Sequence, residues 1–159
     1  MVQPIKTDLY KTIHQLMPIV CVDVVVMVED QVLLIKRARE PAKGQQWFPG
    51  GRLFRGELIK DAAQRIVKAE TNLNIIKQQY LGFDETIFEE DPFDHGFGTH
   101  TVNHVFAAKV RSMELVAFAL DDHHVSHELV KIDSICDKKD LDPYVKKFIF
   151  LAEAALRRQ

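Results

Sequence analysis

The 159-residue sequence predicts an α+β fold in which a mixed β-sheet packs against helices. Two observations lead to this prediction. The β-branched run IVCVDVVVMV is followed, after a short turn, by the apolar run VLLIKRA, a pattern typical of a β-hairpin. Helical and extended segments then fail to alternate regularly, and no glycine-rich phosphate loop follows a strand. Both features argue against a repeating β-α-β fold of the dinucleotide-binding type.

The individual elements follow from local composition and from the residues that begin or end a helix. Strands are predicted over residues 19–28, 32–38, 101–110 and 114–120, one or two strands over residues 74–88, and a short extended segment over residues 128–132. Helices are predicted over residues 6–16, 57–71 and 142–157. Asp142 is suited to cap the last helix, with Pro143 in its first position. The stretch DDHHVSH, residues 121–127, is predicted to be a loop.

Length and composition indicate a single domain over residues 1–159 with a sizeable core. The formal net charge of −2 gives no reason to expect nucleic-acid binding. No apolar run approaches the roughly 20 residues that a membrane span requires. The N-terminus has no hydrophobic signal core, so a cytoplasmic protein is expected. Cys21 and Cys136 lie far apart in sequence and are predicted to be free thiols.

Successive residues of an α-helix are rotated by about 100° around its axis, which shows which residues of the central helix share a face. The residues Leu58, Ala62, Ile66, Ala69 and Leu73 then share one arc, which is predicted to face the core. Glu70 falls at the rim of this arc. A carboxylate at a core boundary is partly desolvated and requires a positive partner or a metal. A salt bridge or a solvated side chain remains the alternative for Glu70.

Two residues outside this helix also have two interpretations. Asp23 interrupts a β-branched run, so it is either a buried functional carboxylate or a polar residue on a solvated strand face. Gly50, in the sequence WFPGG, is predicted to lie in a turn, where glycine is favoured because it adopts left-handed backbone angles.

The segment from Gly51 to Leu73 resembles the Nudix hydrolase motif, G-x5-E-x7-R-E-U-x-E-E-x-G-U, in which U is a bulky aliphatic residue. The chain matches this motif at Gly51, Glu57, Arg65, Val67, Glu70 and Leu73. It departs from the motif at three positions, namely Ile66 and Ala69, where the family usually has glutamates, and Asn72, where it usually has glycine. The resemblance implies a Nudix fold, an α/β/α sandwich with a mixed β-sheet.

The same loss of glutamates is typical of the GDP-mannose mannosyl hydrolase branch of the family. The resemblance to this branch extends over nearly the whole chain, through the segments LLIKRAREPAKG, PGGR, AAQRIVKAE, DDHH and FLAE. It implies that water attacks C1 of the sugar and that GDP leaves. It also implies a homodimer that binds a nucleotide-sugar, with one Mg²⁺ per subunit.

The resemblance further implies roles for individual residues. Gly50, through its carbonyl, Glu70 and His123 would bind the metal. Arg37 and Arg52 would bind the diphosphate, because a guanidinium pairs two oxygens while staying charged. Arg37 and Asp23 would also act in catalysis, and His124 would be the general base. Arg65 is expected to brace Glu57 rather than to contact substrate.

Several departures from the branch leave alternatives open. His123 replaces a glutamine ligand, which leaves Mn²⁺ possible beside Mg²⁺. His127 competes with His124 as the base. Thr86 and Thr101 stand where the branch has histidine and tyrosine, which leaves the nucleobase and the sugar of the substrate undetermined. Two other functions remain, a conventional Nudix pyrophosphatase such as an ADP-ribose hydrolase, and a nucleotide-binding module that has lost metal ligands.

Overall fold

The protein is described by a computed structural model over residues 5–111 and 124–157. The predicted strand over residues 114–120 and the predicted metal ligand His123 lie outside the described residues. None of the helices within the described ranges is long and apolar enough to cross a membrane.

Seven strands and three helices make up the described fold. The strands are β1 Ile19–Val28, β2 Gln31–Arg37, β3 Gln46–Trp47, β4 Gly50–Arg52, β5 Ile75–Phe88, β6 Thr99–Val110 and β7 His124–Lys131. The helices are α1 Thr7–Leu16, α2 Ile59–Thr71 and α3 Pro143–Arg157. A 3-10 helix, Ile132–Asp137, connects β7 to the segment before α3.

The strands form one mixed sheet in the order β3-β2-β1-β6-β5, with β4 paired to β1 and β7 paired to β2. The β1–β6 pair is parallel, and the other pairs are antiparallel. This arrangement agrees with the predicted α+β class and mixed sheet. It makes β1 the central strand and places β4, which carries the glycine pair, directly beside the start of β1.

Alternation along β1 divides the core into two layers, because successive side chains point to opposite faces of a sheet. Val22, Val24 and Val26 belong to the apolar cluster that contains the buried residues of α2. Val25 and Met27 belong to the cluster that contains the buried residues of α3. The sheet is therefore covered by α2 on one face and by α3 on the other, which is the predicted α/β/α sandwich.

Several local predictions are confirmed. The bounds of β1 and α1 agree closely with the predicted segments, and residues 75–88 form one long strand. The carboxylate of Asp142 accepts the N–H of Tyr144 at 2.7 Å, as expected of the residue that caps α3. Cys21 and Cys136 are free thiols.

Three local predictions are wrong. Gly50 and Gly51 lie in strand β4 rather than in a turn, because their backbone pairs with β1. His124 begins strand β7 rather than lying in a loop, because β7 adds to the edge of β2. The core-facing arc of α2 is wrong at two of its five positions. Ala62, Ile66 and Leu73 are buried as predicted, whereas Leu58 precedes the helix and is 60% exposed, and Ala69 is also exposed. The helix buries Ala63, Val67 and Thr71 in addition.

Candidate active site

A cavity of about 230 Å³ opens where β1, β4 and β6 begin, beneath α1. Its wall contains three of the predicted catalytic and substrate-binding residues, namely Asp23, Arg37 and Arg52, together with Gly50. Residues from α1, β5 and β6 complete the wall, including Tyr10, His14, Thr86, Phe88, Thr101 and Asn103. Residues that are distant in sequence are therefore brought together around one space.

Asp23 is buried at this cavity, with 5% of its surface exposed. Tyr144 of α3 donates its hydroxyl hydrogen to Asp23 Oδ2 at 2.7 Å, and Trp47 supplies a further hydrogen bond. Burial raises the pKa of the Asp23 carboxyl, while these hydrogen bonds and the nearby Arg37 oppose the rise. The interpretation of Asp23 as a polar residue on a solvated strand face is therefore wrong.

Gly50 lies directly opposite Asp23 in the β1–β4 pair. A Cβ atom built at Gly50 would collide with Asp23 Oδ1. The backbone at Gly50 does not have the positive φ angle that five other glycines of the chain adopt. Glycine is therefore required here by the close approach of a buried carboxylate, and the predicted left-handed turn is not the reason.

Glu70 reaches Gly50 from the α2 side of the strand. The N–H of Gly50 donates to Glu70 Oε2 at 3.2 Å. Val24 N–H donates to the carbonyl of Pro49 at 2.9 Å, so Gly50 belongs to a non-hydrogen-bonded pair of the ladder. In such a pair the N–H and C=O of a residue both point away from the neighbouring strand. The Gly50 carbonyl thus points to the side from which Glu70 approaches.

This donor set suits a hard divalent cation. Mg²⁺ and Mn²⁺ prefer carboxylate and carbonyl oxygens, which Glu70 and Gly50 can supply side by side. Within the described ranges, no group of three or more histidine, cysteine, aspartate or glutamate side chains lies close enough together to hold a metal ion.

Arg37 and Arg52 reach the cavity from different strands. Arg37 Nε donates to the carbonyl of Pro41 at 2.7 Å, which fixes the end of its side chain. The guanidinium of Arg52 lies 4.5 Å from the ring centre of Tyr10 and 5.3 Å from that of Phe54. Aromatic faces attract a guanidinium and restrict its orientation. Two oriented cations therefore line the cavity, as binding of a diphosphate requires.

Arg65 is occupied by contacts within the protein. Its Nε and Nη2 atoms bond the two oxygens of Glu57 at 2.6 and 2.8 Å, and Nη2 also donates to the Arg52 carbonyl at 3.1 Å. The hydrogen bond from Arg65 lowers the pKa of the Glu57 carboxyl, against a smaller effect of burial. Arg65 does brace Glu57, as expected from the sequence, and it also supports the strand that carries Arg52.

Two of the three positions where the motif departs, Ile66 and Asn72, have clear structural roles. Ile66 is 2% exposed and packs in the α2-side core, within 3.6 Å of where a Cβ on Gly51 would lie. Ala69 lies exposed on the helix. Asn72 follows the helix with φ 57° and ψ 9°, a left-handed conformation that asparagine tolerates best among residues other than glycine. Asparagine thus replaces the usual glycine at small cost.

The two substituted positions at the far side of the cavity are cross-strand neighbours. Thr86 of β5 pairs with Thr101 of β6, and their hydroxyl oxygens lie 2.6 Å apart. Asn103 Nδ2 donates to Thr86 Oγ1 at 3.1 Å. These short polar side chains leave space that a histidine and a tyrosine would fill.

The two candidate general bases, His124 and His127, occupy different positions along strand β7. The backbone of His124 pairs with Arg37, after an irregularity in the ladder between Lys36 and Arg37. His127 pairs with Ile35 and is exposed. His127 lies two residues before Leu129, which packs on the α2 side, so the two share that face of the sheet. Asp23 faces the opposite side, toward α3.

Other cavity residues were not anticipated from the sequence. Tyr10 and His14 line the cavity from α1, while Tyr144 of α3 bonds the cavity residue Asp23. These positions depend on how the terminal helices pack. The only local signal was the amphipathic character of the helices, which does not identify individual contacts. Cys21 also lines the cavity, and burial, followed by the charge of Asp23, raises the pKa of its thiol to about 12. Cys21 is therefore protonated at neutral pH and is not a nucleophile.

Two curated proteins illustrate the sequence relatives of this chain. A low-salt glycan biosynthesis protein of Haloferax volcanii is 28% identical over 149 residues, which cover 91% of this chain and 88% of that protein. An ADP-ribose pyrophosphatase of Methanocaldococcus jannaschii is 37% identical over 90 residues, or 57% of this chain and 53% of the relative.

Solved structures share the fold. The NUDIX domain of Shewanella oneidensis NrtR, in complex with ADP ribose, has a TM-score of 0.65 and 15% identity, covering 96% of this chain and 99% of that one. A MutT protein of Methanosarcina mazei has a TM-score of 0.70 and 20% identity, covering 88% and 96%.

The model of the NUDIX domain matches residues 17–152, which contain the glycine pair, α2 and the strands that line the cavity. Members of this family are hydrolases of small-molecule nucleotide substrates and generally act with divalent cations such as Mg²⁺. The chain belongs to the Nudix family.

Proposed function

We propose that this Nudix hydrolase cleaves nucleotide-sugars such as GDP-mannose or GDP-glucose, by attack of water at C1 of the sugar. The products are then a free sugar and a nucleoside diphosphate. The observation that carries this proposal is the chemistry of α2 beside Gly50. Positions 66 and 69 carry aliphatic side chains where the Nudix motif has glutamates, and Glu57 is bonded by Arg65. Glu70 is the motif carboxylate that reaches Gly50.

Attack at phosphorus and attack at carbon place different demands on a site. Phosphoryl chemistry concentrates positive charge around the phosphorus under attack, for which several metal-binding carboxylates are useful. Attack at an anomeric carbon requires a stabilised leaving group and a positioned water. The second case suits the part of the site that the structure describes, because Glu70 is its motif carboxylate at Gly50 while the two arginines Arg37 and Arg52 line the cavity.

Each predicted residue has a role in this reaction. Arg37 and Arg52 would bind the diphosphate and stabilise the charge that builds on it as the bond to the sugar breaks. Glu70 and the carbonyl of Gly50 would hold a cation, which supplies further neutralisation of that charge. His124 would accept the proton of the attacking water. Asp23, buried in the cavity wall, would orient the sugar or the water.

The position of isotope in the products tests the reaction class. The enzyme is incubated with GDP-mannose, GDP-glucose and ADP-ribose in ¹⁸O-labelled water, with Mg²⁺ and with Mn²⁺, and the products are weighed by mass spectrometry. We expect label in the free sugar and an unlabelled nucleoside diphosphate. The released sugar should have inverted configuration, by analogy with inverting glycosidases. Label on a phosphate, with release of a nucleoside monophosphate, would instead identify a pyrophosphatase.

The pyrophosphatase alternative has support of its own. The relative from Methanocaldococcus jannaschii that is 37% identical over 90 residues is an ADP-ribose pyrophosphatase. The relative from Haloferax volcanii, which spans more of the chain, has a name that refers to glycan biosynthesis. That chemistry involves sugars and favours a nucleotide-sugar substrate. A module that binds nucleotides without cleaving them would give no labelled product with any of the three compounds.

The resemblance to the GDP-mannose mannosyl hydrolase branch also supports a cytoplasmic, single-domain homodimer with one Mg²⁺ or Mn²⁺ per subunit. Light scattering coupled to size-exclusion chromatography measures the mass of the assembly. A molecule of the mass of one chain at micromolar concentration would contradict the dimer. Metal analysis of the protein after equilibration with each cation gives the stoichiometry.

A further inference from the structure

A buried pair of histidines joins α1 to the loop between β5 and β6, at the wall of the active-site cavity. Nδ1 of His14 lies 2.8 Å from Nε2 of His95. His14 is 8% exposed, and the side chains of His95 and Asp91 are 2% and 4% exposed. Oδ2 of Asp91 lies 3.2 Å from Nδ1 of His95. These three residues form a continuous polar chain that ends at the cavity.

The loop that carries His95 is held in place from both sides. Asp91 accepts the backbone N–H groups of Phe93, His95 and Gly96 at 2.8, 3.1 and 3.0 Å. The ring of Phe93 packs on α1, with its centre 5.3 Å from that of His14. Because these contacts fix both ends of the pair, the bond between His14 and His95 has a defined geometry.

The hydrogen-bond network assigns the tautomer of His14. The backbone N–H of Phe97 donates to Nδ1 of His95 at 3.1 Å, so Nδ1 carries no proton and Nε2 of His95 does. His95 therefore donates to Nδ1 of His14. A neutral His14 must then carry its proton on Nε2. A doubly protonated His95, with its Nδ1–H directed at Asp91, would also donate from Nε2 toward His14. Only a neutral His95 protonated on Nδ1 would reverse this bond, and the donation from Phe97 N–H to Nδ1 opposes that form.

The surroundings of His14 favour a neutral donor over a charged one. Burial lowers the pKa of His14, the positive charge that His95 can carry lowers it further, and Asp91 opposes both effects. His14 lies four residues after Tyr10, so the two residues share one face of α1. Tyr10 contacts the guanidinium of Arg52. His14 thus faces a region about one helical turn away from an arginine that is suited to bind a diphosphate.

We propose that His14 determines substrate specificity by donating its Nε2–H to a hydroxyl or carbonyl oxygen in the organic part of the bound nucleotide compound. His95 is the positioning residue that fixes the tautomer of His14, and Asp91 holds the loop that carries His95 through its backbone hydrogen bonds. The identity of the ligand rests on the proposed function, whereas the donor role of His14 does not depend on which bond is cleaved.

The first test compares two substitutions of His14. His14→Phe keeps a ring that packs against Phe93 but has no donor, and leaves a substrate oxygen unpaired. It should reduce kcat/KM by roughly 5- to 100-fold, mainly through KM, since the contact exists before the transition state. His14→Gln places an amide N–H near the position of Nε2 and should recover most of the loss. His104→Phe is the matched control, because His104 bonds Tyr80 outside the cavity.

The same reasoning applies to the positioning residue. His95→Phe should reproduce part of the loss, and His95→Gln, which can still donate to Nδ1 of His14, should restore activity. A purely structural role predicts instead that the activity of the four His14 and His95 variants falls in proportion to their loss of thermal stability. Unchanged KM in a folded His14→Phe enzyme would overturn the proposal.

Two measurements separate this proposal from the proposed function. Nitrogen-15 NMR of histidine-labelled protein reports tautomers without substrate, and a proton on Nδ1 of neutral His14 would overturn the assignment. Calorimetric titration without divalent cations measures binding of GDP-mannose and ADP-ribose without turnover. His14→Phe should weaken binding of at least one of these probes by fivefold or more. The proposal is overturned if the natural protein and His14→Phe bind each probe with equal affinity, or if neither probe binds. Failure of the proposed function, by contrast, appears only in the isotope experiment.

Discussion

Replacing Gly50 by alanine tests the closest approach in the site. The new Cβ would overlap Oδ1 of Asp23, whose carboxyl is buried and is bonded by Tyr144 at 2.7 Å. The carboxylate cannot rotate away without losing this hydrogen bond, and β4 cannot withdraw without breaking its pairing to β1. The matched control is Gly51→Ala, whose Cβ would meet Ile66 Cγ1 at 3.6 Å, an ordinary contact distance.

The expected cost follows from these contacts. Overpacking a well-packed region costs about 1–3 kcal/mol, and a hydrogen bond to a charged group contributes about 1.5–3 kcal/mol. Replacing glycine by alanine recovers about 0.4–1 kcal/mol by restricting the unfolded chain. We therefore expect Gly50→Ala to lower the free energy of unfolding by about 2–4 kcal/mol. Gly51→Ala should leave it unchanged or raise it by less than about 1 kcal/mol, because only the entropic gain applies.

Urea denaturation followed by circular dichroism measures both values. For a protein of this size the loss in Gly50→Ala corresponds to a fall in Tm of about 5–15 °C. The double variant Gly50→Ala/Asp23→Ala removes the overlapping oxygen. It should therefore be more stable than the sum of the two single effects predicts, by about 1 kcal/mol or more. Additive effects, or equal costs for the two glycine variants, would refute the steric reasoning.

Three further predictions concern single side chains. Glu70→Gln should remove most activity at modest metal concentration while the fold persists, since glutamine can still accept the N–H of Gly50; near-normal turnover in a metal titration would contradict its role. His124→Gln should reduce kcat by roughly 10²–10⁴, as loss of a general base does, and a larger effect of His127→Gln would transfer that role to His127. Asp23→Asn should stabilise the protein at pH 7. The folded state holds the Asp23 proton to higher pH than the unfolded state, so the stability of the natural protein falls as the pH rises through the raised pKa. The advantage of Asp23→Asn in urea denaturation should shrink toward pH 4, and a constant advantage from pH 4 to pH 8 would contradict the assignment.

Much of the fold could be predicted from local sequence alone. The β-branched run of β1, the capped helix α3 and the helix α2 with its motif residues all have strong local signals, and their bounds agree with the structure to within about two residues. The α/β/α sandwich followed from the resemblance to the Nudix family. The ion pair of Arg65 with Glu57 was also expected, because both residues belong to one motif and lie two helical turns apart.

The first half of the edge strand β7, residues 124–127, could not be predicted in the same way, whereas residues 128–132 were predicted to be extended. The stretch DDHHVSH is polar and reads as a loop, yet His124 onward forms a strand because β2 offers an edge for pairing. Backbone pairing of this kind depends on the neighbouring strand and only weakly on the side chains of the segment itself. The errors in the buried face of α2, at Leu58 and Ala69, have a related reason. Which residues of the helix meet the sheet depends on where the chain leaves β4 and the helix begins.

The sequence by itself determined the family, most of the helices and strands, and the chemical types of the candidate residues, because these depend on residue identity, spacing and local propensity. Only the tertiary structure decided which residues meet. It brought Tyr144 of α3 to Asp23, made glycine necessary at position 50 by placing that carboxylate beside it, and joined His14 to His95 across 81 positions of the chain. Such contacts arise from the packing of whole helices and strands, and no local pattern in the sequence specifies them.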